Sequence, residues 1–216
     1  MVLTIKLYMI GYNLYDGELL AKGVEDRAAK KCAPYALKDA PGLLEFLGYT
    51  FCFSNLLVGP ASEYATYLKA IDGSIFKTAD GKTSKIPSCV LPTLKPFLTS
   101  LLNLVLFQVL SAKFPLLDTM DPQRNTPFIL KSEFLNRPFY LRVLHSWLGL
   151  FALREKYYFA WKNAEGAQNI WYAGFDGWDE KGNEKGWETS SNVDIIAFET
   201  APDISKLSKN WNKKTS

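Results

Sequence analysis

Histidine is nearly absent: the 216 residues hold one, His145. A metal centre built on several histidines is therefore excluded within this chain. Cysteine is scarce too. Cys32, Cys52 and Cys89 are odd in number and widely spaced, and no Cys-x-x-Cys occurs, so neither a zinc site nor a disulfide framework is supported. An excess of one charge is also lacking. With 25 basic and 22 acidic residues the formal net charge is +3, too little to argue for nucleic acid, and no aromatic-basic RNA-binding motif is present. The Lys-rich stretches read as solvated loops or as contacts to anionic headgroups. Met1 to Ile10 is apolar around Lys6 but has no basic n-region and no small-residue cleavage site. It does not read as a signal peptide; it reads as the tail of an apolar segment that begins earlier. No repeat and no low-complexity tract occurs.

Aromatic and aliphatic residues are plentiful, and their distribution is informative. Mean hydropathy is close to zero, yet the apolar residues gather in blocks with the charges between them. Phe97 to Ala112 carries no charge and lies between Lys95 and Lys113. As a helix it spans about 24 Å, short of a roughly 30 Å hydrocarbon core, and snorkelling lysines at both ends close the gap. Gly42 to Gly59 has one charge, Glu45, holds Ser54 and Asn55, and ends at Gly59-Pro60. Pro138 to Trp161 is apolar at its centre but carries Arg142, His145, Arg154, Glu155 and Lys156. Arg142 and His145 share a helical face, which must point into protein or water, unless the helix lies on a membrane surface. Helices are thus expected near 42–59, 97–113 and 138–161, with a partial one at the start. The segments 16–39, 72–92 and 117–126 read as polar connections. Residues 164–191, rich in Gly and Trp, read as a structured polar loop.

Four stretches, in order, carry a resemblance. Lys6 to Gly17 reads KLYMIGYNLYDG. Leu43 to Gly73 is an apolar run closed by Gly-Pro and followed by tyrosines. Arg154-Glu155-Lys156-Tyr157-Tyr158-Phe159-Ala160-Trp161 fits Arg-x-Lys-Tyr-Tyr-x-x-Trp. Trp211-Asn212-Lys213-Lys214-Thr215 fits Trp-Asn-x-x-Thr. Together they resemble the membrane-bound O-acyltransferase family, on its lysophospholipid acyltransferase branch, from nearly one end of the chain to the other.

The resemblance implies an all-α, polytopic membrane protein of that fold, with residues 1–216 as part of its domain. It implies transfer of an acyl group from acyl-CoA to a lysophospholipid hydroxyl in the endoplasmic reticulum membrane, with the bilayer as partner and neither metal nor redox cofactor. That chemistry needs a base for the hydroxyl proton and a polar group on the reacting centre. The family places an Asn and a His there. Asn212 matches the Asn; its amide can orient the hydroxyl or donate to a developing oxyanion, but is no base. The family His follows a Trp and precedes a Gly some tens of residues later, a segment this chain does not contain. His145 precedes Asn212 and lies between Leu144 and Ser146, so a packing or headgroup contact is expected of it. Arg154 and Lys156 suit phosphate oxygens. Tyr157, Tyr158, Trp161 and Trp211 suit either a substrate chamber or the membrane interface. A short Trp-Asp element also belongs to the pattern: Trp187-Glu188 stands at its best place, and Trp178-Asp179 matches literally but earlier.

On this reading the 216 residues are a piece of the enzyme, inactive and poorly stable alone. Two other readings stay open at the level of sequence. One is a non-catalytic membrane protein that binds lipid or a partner. The other is a soluble domain with three buried helices.

Overall fold

The computed structural model describes residues 2–23, 32–78, 85–116 and 127–214. Their regular structure is helical: α1 (Val2–Ala21), α2 (Leu43–Thr50), α3 (Tyr64–Ile71), α4 (Val90–Lys113), α5 (Phe139–Ile170), α6 (Ile195–Glu199) and α7 (Ile204–Asn210), with a few single turns between them. No strand forms among the described residues; two isolated bridges pair Trp178 with Glu184 and Val193 with Trp211. The all-α expectation holds. The expected link at 117–126 and Thr215 of the Trp-Asn motif lie outside the described residues. The chain divides into two compact units, one of Met1–Pro96 with Trp161–Ser216 and one of Phe97–Ala160.

In the first unit, Ile10 of α1 packs with Tyr49 of α2 and Tyr64 of α3, flanked by Leu14, Leu37, Phe46, Tyr67 and Leu68. Tyr49 meets Tyr64 edge to face at 5.4 Å between centroids, and its hydroxyl donates to the Ser62 carbonyl at 2.7 Å. The expected helix over 42–59 is corrected here, because α2 stops at Thr50 and residues 51–58 form turns. The cause is Lys6. Its ammonium, fully buried, donates to the carbonyls of Tyr49 (2.9 Å) and Thr50 (3.4 Å) and to Asn55 Oδ1 (2.5 Å). The last carbonyls of a helix carry partial negative charge and lack intrahelical donors. A cation placed on them is stabilising and ends the helix. Asn55 then donates to Ser62 Oγ at 3.0 Å, so the polar atoms that spoil an apolar helix are used in the turn.

α4 begins at Val90, earlier than the expected Phe97, and runs through Pro96. Proline in a helix leaves the carbonyl four residues back without its donor. That carbonyl belongs to Pro92, and Asn169 Nδ2 donates to it at 2.8 Å. Asn169 Oδ1 in turn accepts from Ser190 Oγ at 3.0 Å. Gly174 makes room for this arrangement, since a Cβ there would overlap both Asn169 Oδ1 and Ser190 Oγ.

α5 continues past the expected end at Trp161 to Ile170, so residues 164–170 of the expected loop are helical. Polarity ends the apolar pattern without ending the helix: Lys162 and Glu165 pair at 2.8 Å with little exposure. The helix closes with Ala173 N–H on the Gln168 carbonyl (3.1 Å) and Tyr172 N–H on the Asn169 carbonyl (3.2 Å). This is a Schellman ending, with Tyr172 at φ 68° where glycine is usual. The rest of the loop packs by aromatic contact: Tyr172 and Phe175 on Phe76, and Trp187 on Phe175.

In the second unit, α4 and α5 leave long rows of apolar side chains exposed, among them Leu98, Leu102, Val105, Val143, Trp147 and Leu150. Among the described residues α4 is the one helix long and apolar enough to cross a membrane. His145 is buried against Phe114, Phe128 and Phe134. Its Nε2 bonds the Pro115 carbonyl at 2.9 Å and its Nδ1 faces Arg137 Nη1 at 3.4 Å. A carbonyl requires the proton on Nε2, and an arginine N–H requires a lone pair on Nδ1, so both ring nitrogens are engaged in packing this unit.

Lys6→Met takes the ammonium donor from the Thr50 carbonyl and the Asn55 amide oxygen and leaves the Tyr49 carbonyl with Cys52 N–H alone. It is expected to destabilise the detergent-solubilised protein by about 2 kcal/mol or more, read as a lowered thermal midpoint. A midpoint equal to the parent's would show that the ammonium does not hold the end of α2.

Candidate functional site

Trp161, the last residue of the Arg-x-Lys-Tyr-Tyr-x-x-Trp motif, and Trp211, the first of Trp-Asn-x-x-Thr and fifty residues on, meet in the first unit. The Trp161 ring lies edge-on to the Trp211 ring at 4.8 Å, and Phe198 of α6 covers Trp211 at 4.9 Å. Each pair is close enough to exclude water between its rings. α6 and α7 are short, and each starts on an aspartate cap. Asp194 accepts from Ala197 N–H at 3.0 Å and Asp203 from Lys206 N–H at 2.7 Å. The caps fix where the chain turns back, and the return lays residues 210–214 beside residues 192–194. The ties are Asp194 N–H to the Asn210 carbonyl (3.2 Å), the Val193–Trp211 bridge, and Lys213 N–H to the Asn192 carbonyl (2.9 Å).

Asn212 sits in this return at φ 53°, in the left-handed region, which asparagine tolerates better than other residues bearing a Cβ. It is half-buried. Its Oδ1 accepts from Asn192 Nδ2 at 2.9 Å. The amide oxygen therefore faces Asn192, and the N–H edge faces the other way. Asn192 is almost wholly buried and also accepts Lys214 N–H on its Oδ1 at 3.2 Å. The sequence Ser191-Asn192-Val193-Asp194 carries no local mark that would single out Asn192.

The remaining expected site residues divide by unit and by helix face. Arg154, Lys156, Tyr157 and Tyr158 belong to the second unit. Tyr158 is fully buried, on the face of α5 that also buries Ala152, Glu155 and Trp161. Arg154 is half-buried, with its guanidinium 5.5 Å from the centre of the Phe151 ring. Lys156 and Tyr157 are exposed on the opposite face. Of the seven, the structure brings Trp161, Trp211 and Asn212 together.

The two Trp-acid pairs are also separated. Asp179 is used up in its own turn, accepting Asn183 N–H (2.7 Å), the Asn183 amide (3.2 Å) and Lys181 N–H (2.9 Å). The Asn183 contacts, followed by Lys181, hold its carboxyl below the ordinary range. Glu188 instead reaches the Asn motif, with Oε2 3.5 Å from Lys213 Nζ. Its N–H is held by Asp176 at 2.8 Å, and Asp176 also takes the Thr189 hydroxyl. Among the described residues no group of three or more His, Cys, Asp or Glu is placed to hold a metal ion.

Comparison with known proteins shows the family. A family model described as MBOAT, membrane-bound O-acyltransferase family, matches residues 1–216. A lysophospholipid acyltransferase of Schizosaccharomyces pombe is 34% identical over 217 residues, covering 100% of this chain and 40% of the relative. Membrane-bound glycerophospholipid O-acyltransferase 1 of Mus musculus is 32% identical over 225 residues, covering 100% and 43%. Lysophospholipid acyltransferase 5 of Homo sapiens is 29% identical over 215 residues, covering 99% and 40%. The chain spans about two fifths of the length of these curated relatives.

Proposed function

The chain belongs to the membrane-bound O-acyltransferase family, and we propose that it forms part of an acyl-CoA-dependent lysophospholipid acyltransferase of the endoplasmic reticulum membrane. The observation that carries the reading is the joining of its two motifs through the Trp161–Trp211 contact beside a fixed Asn212 amide. In the reaction, the lysophospholipid hydroxyl oxygen attacks the thioester carbonyl of acyl-CoA. The new ester C–O bond forms, the C–S bond breaks, the thiolate leaves, and the hydroxyl proton passes to a base. The N–H edge of Asn212 orients the hydroxyl or donates to the oxyanion as negative charge develops. The Trp161–Trp211 ring contact gives the residue next to Asn212 an apolar backing. The base is neither Asn212, an amide, nor His145, whose ring nitrogens are engaged. The reading gives that role to a residue of the whole enzyme outside 1–216. Arg154 and Lys156 serve the phosphates of the substrates, Tyr157 sits at the membrane interface, and Tyr158 supports the helix between them.

In the full-length enzyme in membranes, Asn212→Ala is expected to lower turnover about 100-fold or more at normal expression. Because alanine also strains a backbone at positive φ, Asn212→Gly separates loss of the amide from loss of fit. The glycine variant is expected to be as slow. Parent-like turnover in either variant removes Asn212 from the reacting centre.

The same proposal makes the protein multi-pass. Its support is the length and apolarity of α4 and the exposed apolar rows along α4 and α5, which exceed the patches a soluble protein leaves in water. Alkaline carbonate is expected to leave the chain in the membrane pellet and detergent to release it. Release by carbonate alone would contradict membrane-spanning helices.

A further inference from the structure

We propose that Asn192 is the positioning residue for Asn212: it sets which edge of the Asn212 amide faces the reacting centre. The inference rests on the role given to Asn212 above. An amide has an accepting edge and a donating edge of nearly the same shape, and only the donating edge serves a hydroxyl oxygen or an oxyanion. Rotation by half a turn about the last side-chain bond exchanges them. Asn192 removes that freedom by donating from Nδ2 to Asn212 Oδ1 at 2.9 Å.

Asn192 is built to hold that aim. Its side chain is almost wholly buried. Its carbonyl accepts Lys213 N–H at 2.9 Å and its Oδ1 accepts Lys214 N–H at 3.2 Å. The amide of Asn192 cannot itself turn over, because its oxygen is committed to a backbone donor. One side chain therefore fixes both the path of the backbone after Asn212 and the sense of the Asn212 amide. A purely structural contact would need only the backbone bonds. The side-chain donor to Oδ1 is the part that bears on chemistry.

The test uses the full-length enzyme in membranes. Asn192→Asp keeps the shape, the carbonyl and the acceptor for Lys214 N–H, and replaces the donor by a carboxylate oxygen. Facing that carboxylate, the Asn212 amide turns its N–H edge inward and presents its oxygen to substrate. The expected result is a fall in kcat of about tenfold or more, with KM for acyl-CoA and for lysophospholipid near the parent values. Lowering the pH protonates the new carboxyl, returns an O–H donor, and raises the activity of the variant relative to the parent. Combined with Asn212→Gly, Asn192→Asp is expected to slow the enzyme no further than Asn212→Gly does alone.

Three results overturn the inference while leaving the function standing. They are parent-like kcat in Asn192→Asp, a loss that appears in KM alone, and losses that multiply in the double variant. Parent-like turnover in Asn212→Gly instead overturns the role of Asn212, and the inference with it. If Asn192→Asp does not accumulate in membranes, Asn192→Ser, small and neutral, carries the same comparison of kcat with KM.

Discussion

Pro96 has no N–H to give, so the carbonyl of Pro92 has no helical partner, and the Nδ2 of Asn169 supplies one. A carbonyl cut off from water without a donor is destabilising by about 1–3 kcal/mol, and the Asn169 donor offsets that cost of carrying Pro96 in α4. The same amide accepts Ser190 on its other edge, and Gly174 must stay without a side chain for the three to fit. Ser190 is two residues from Asn192, and Asn192 holds Asn212. A line of satisfied polar groups thus leads from a proline-bearing helix to the return that carries the Asn motif.

Buried polar chemistry on this scale is expensive unless each group is matched. Lys6 shows the matching in its strongest form, with all three of its donors used on the end of α2 and on Asn55. His145 shows it in the second unit, its ring nitrogens occupied and its faces packed on phenylalanines. Both residues look reactive in a list of titratable groups. Their geometry gives them to architecture, and the chemistry proposed above is assigned to the half-buried amide of Asn212.

The sequence revealed what depends on local pattern. Apolar blocks announced α4 and α5, and the Arg-x-Lys-Tyr-Tyr-x-x-Trp and Trp-Asn-x-x-Thr spacings announced the family. What it hid depends on partners far along the chain. The apolar run from Gly42 to Gly59 promised one helix, but a lysine more than forty residues away from Tyr49 ends it at Thr50. The polar stretch after Trp161 promised a loop, but the Lys162–Glu165 pair and an Asn169 amide bonded to Pro92 and Ser190 accompany a helix that runs on to Ile170. Trp178-Asp179 matched the expected dipeptide by its letters and Trp187-Glu188 by its place; Asp179 serves its own turn, and Glu188 meets Lys213. Asn192 had no local signature, because its importance lies in what it faces across twenty residues.

The central claim is that the Asn212 amide, donating edge outward, meets the reacting atoms of acyl transfer. The most direct measurement is a structure of the full-length enzyme bound to a non-hydrolysable acyl-CoA analogue and a lysophospholipid. Asn212 Nδ2 is expected within about 2.6–3.2 Å of the acceptor hydroxyl or the thioester oxygen, with its Oδ1 still on Asn192. Both substrates bound with their reacting atoms away from Asn212, or its oxygen edge facing them, would contradict it.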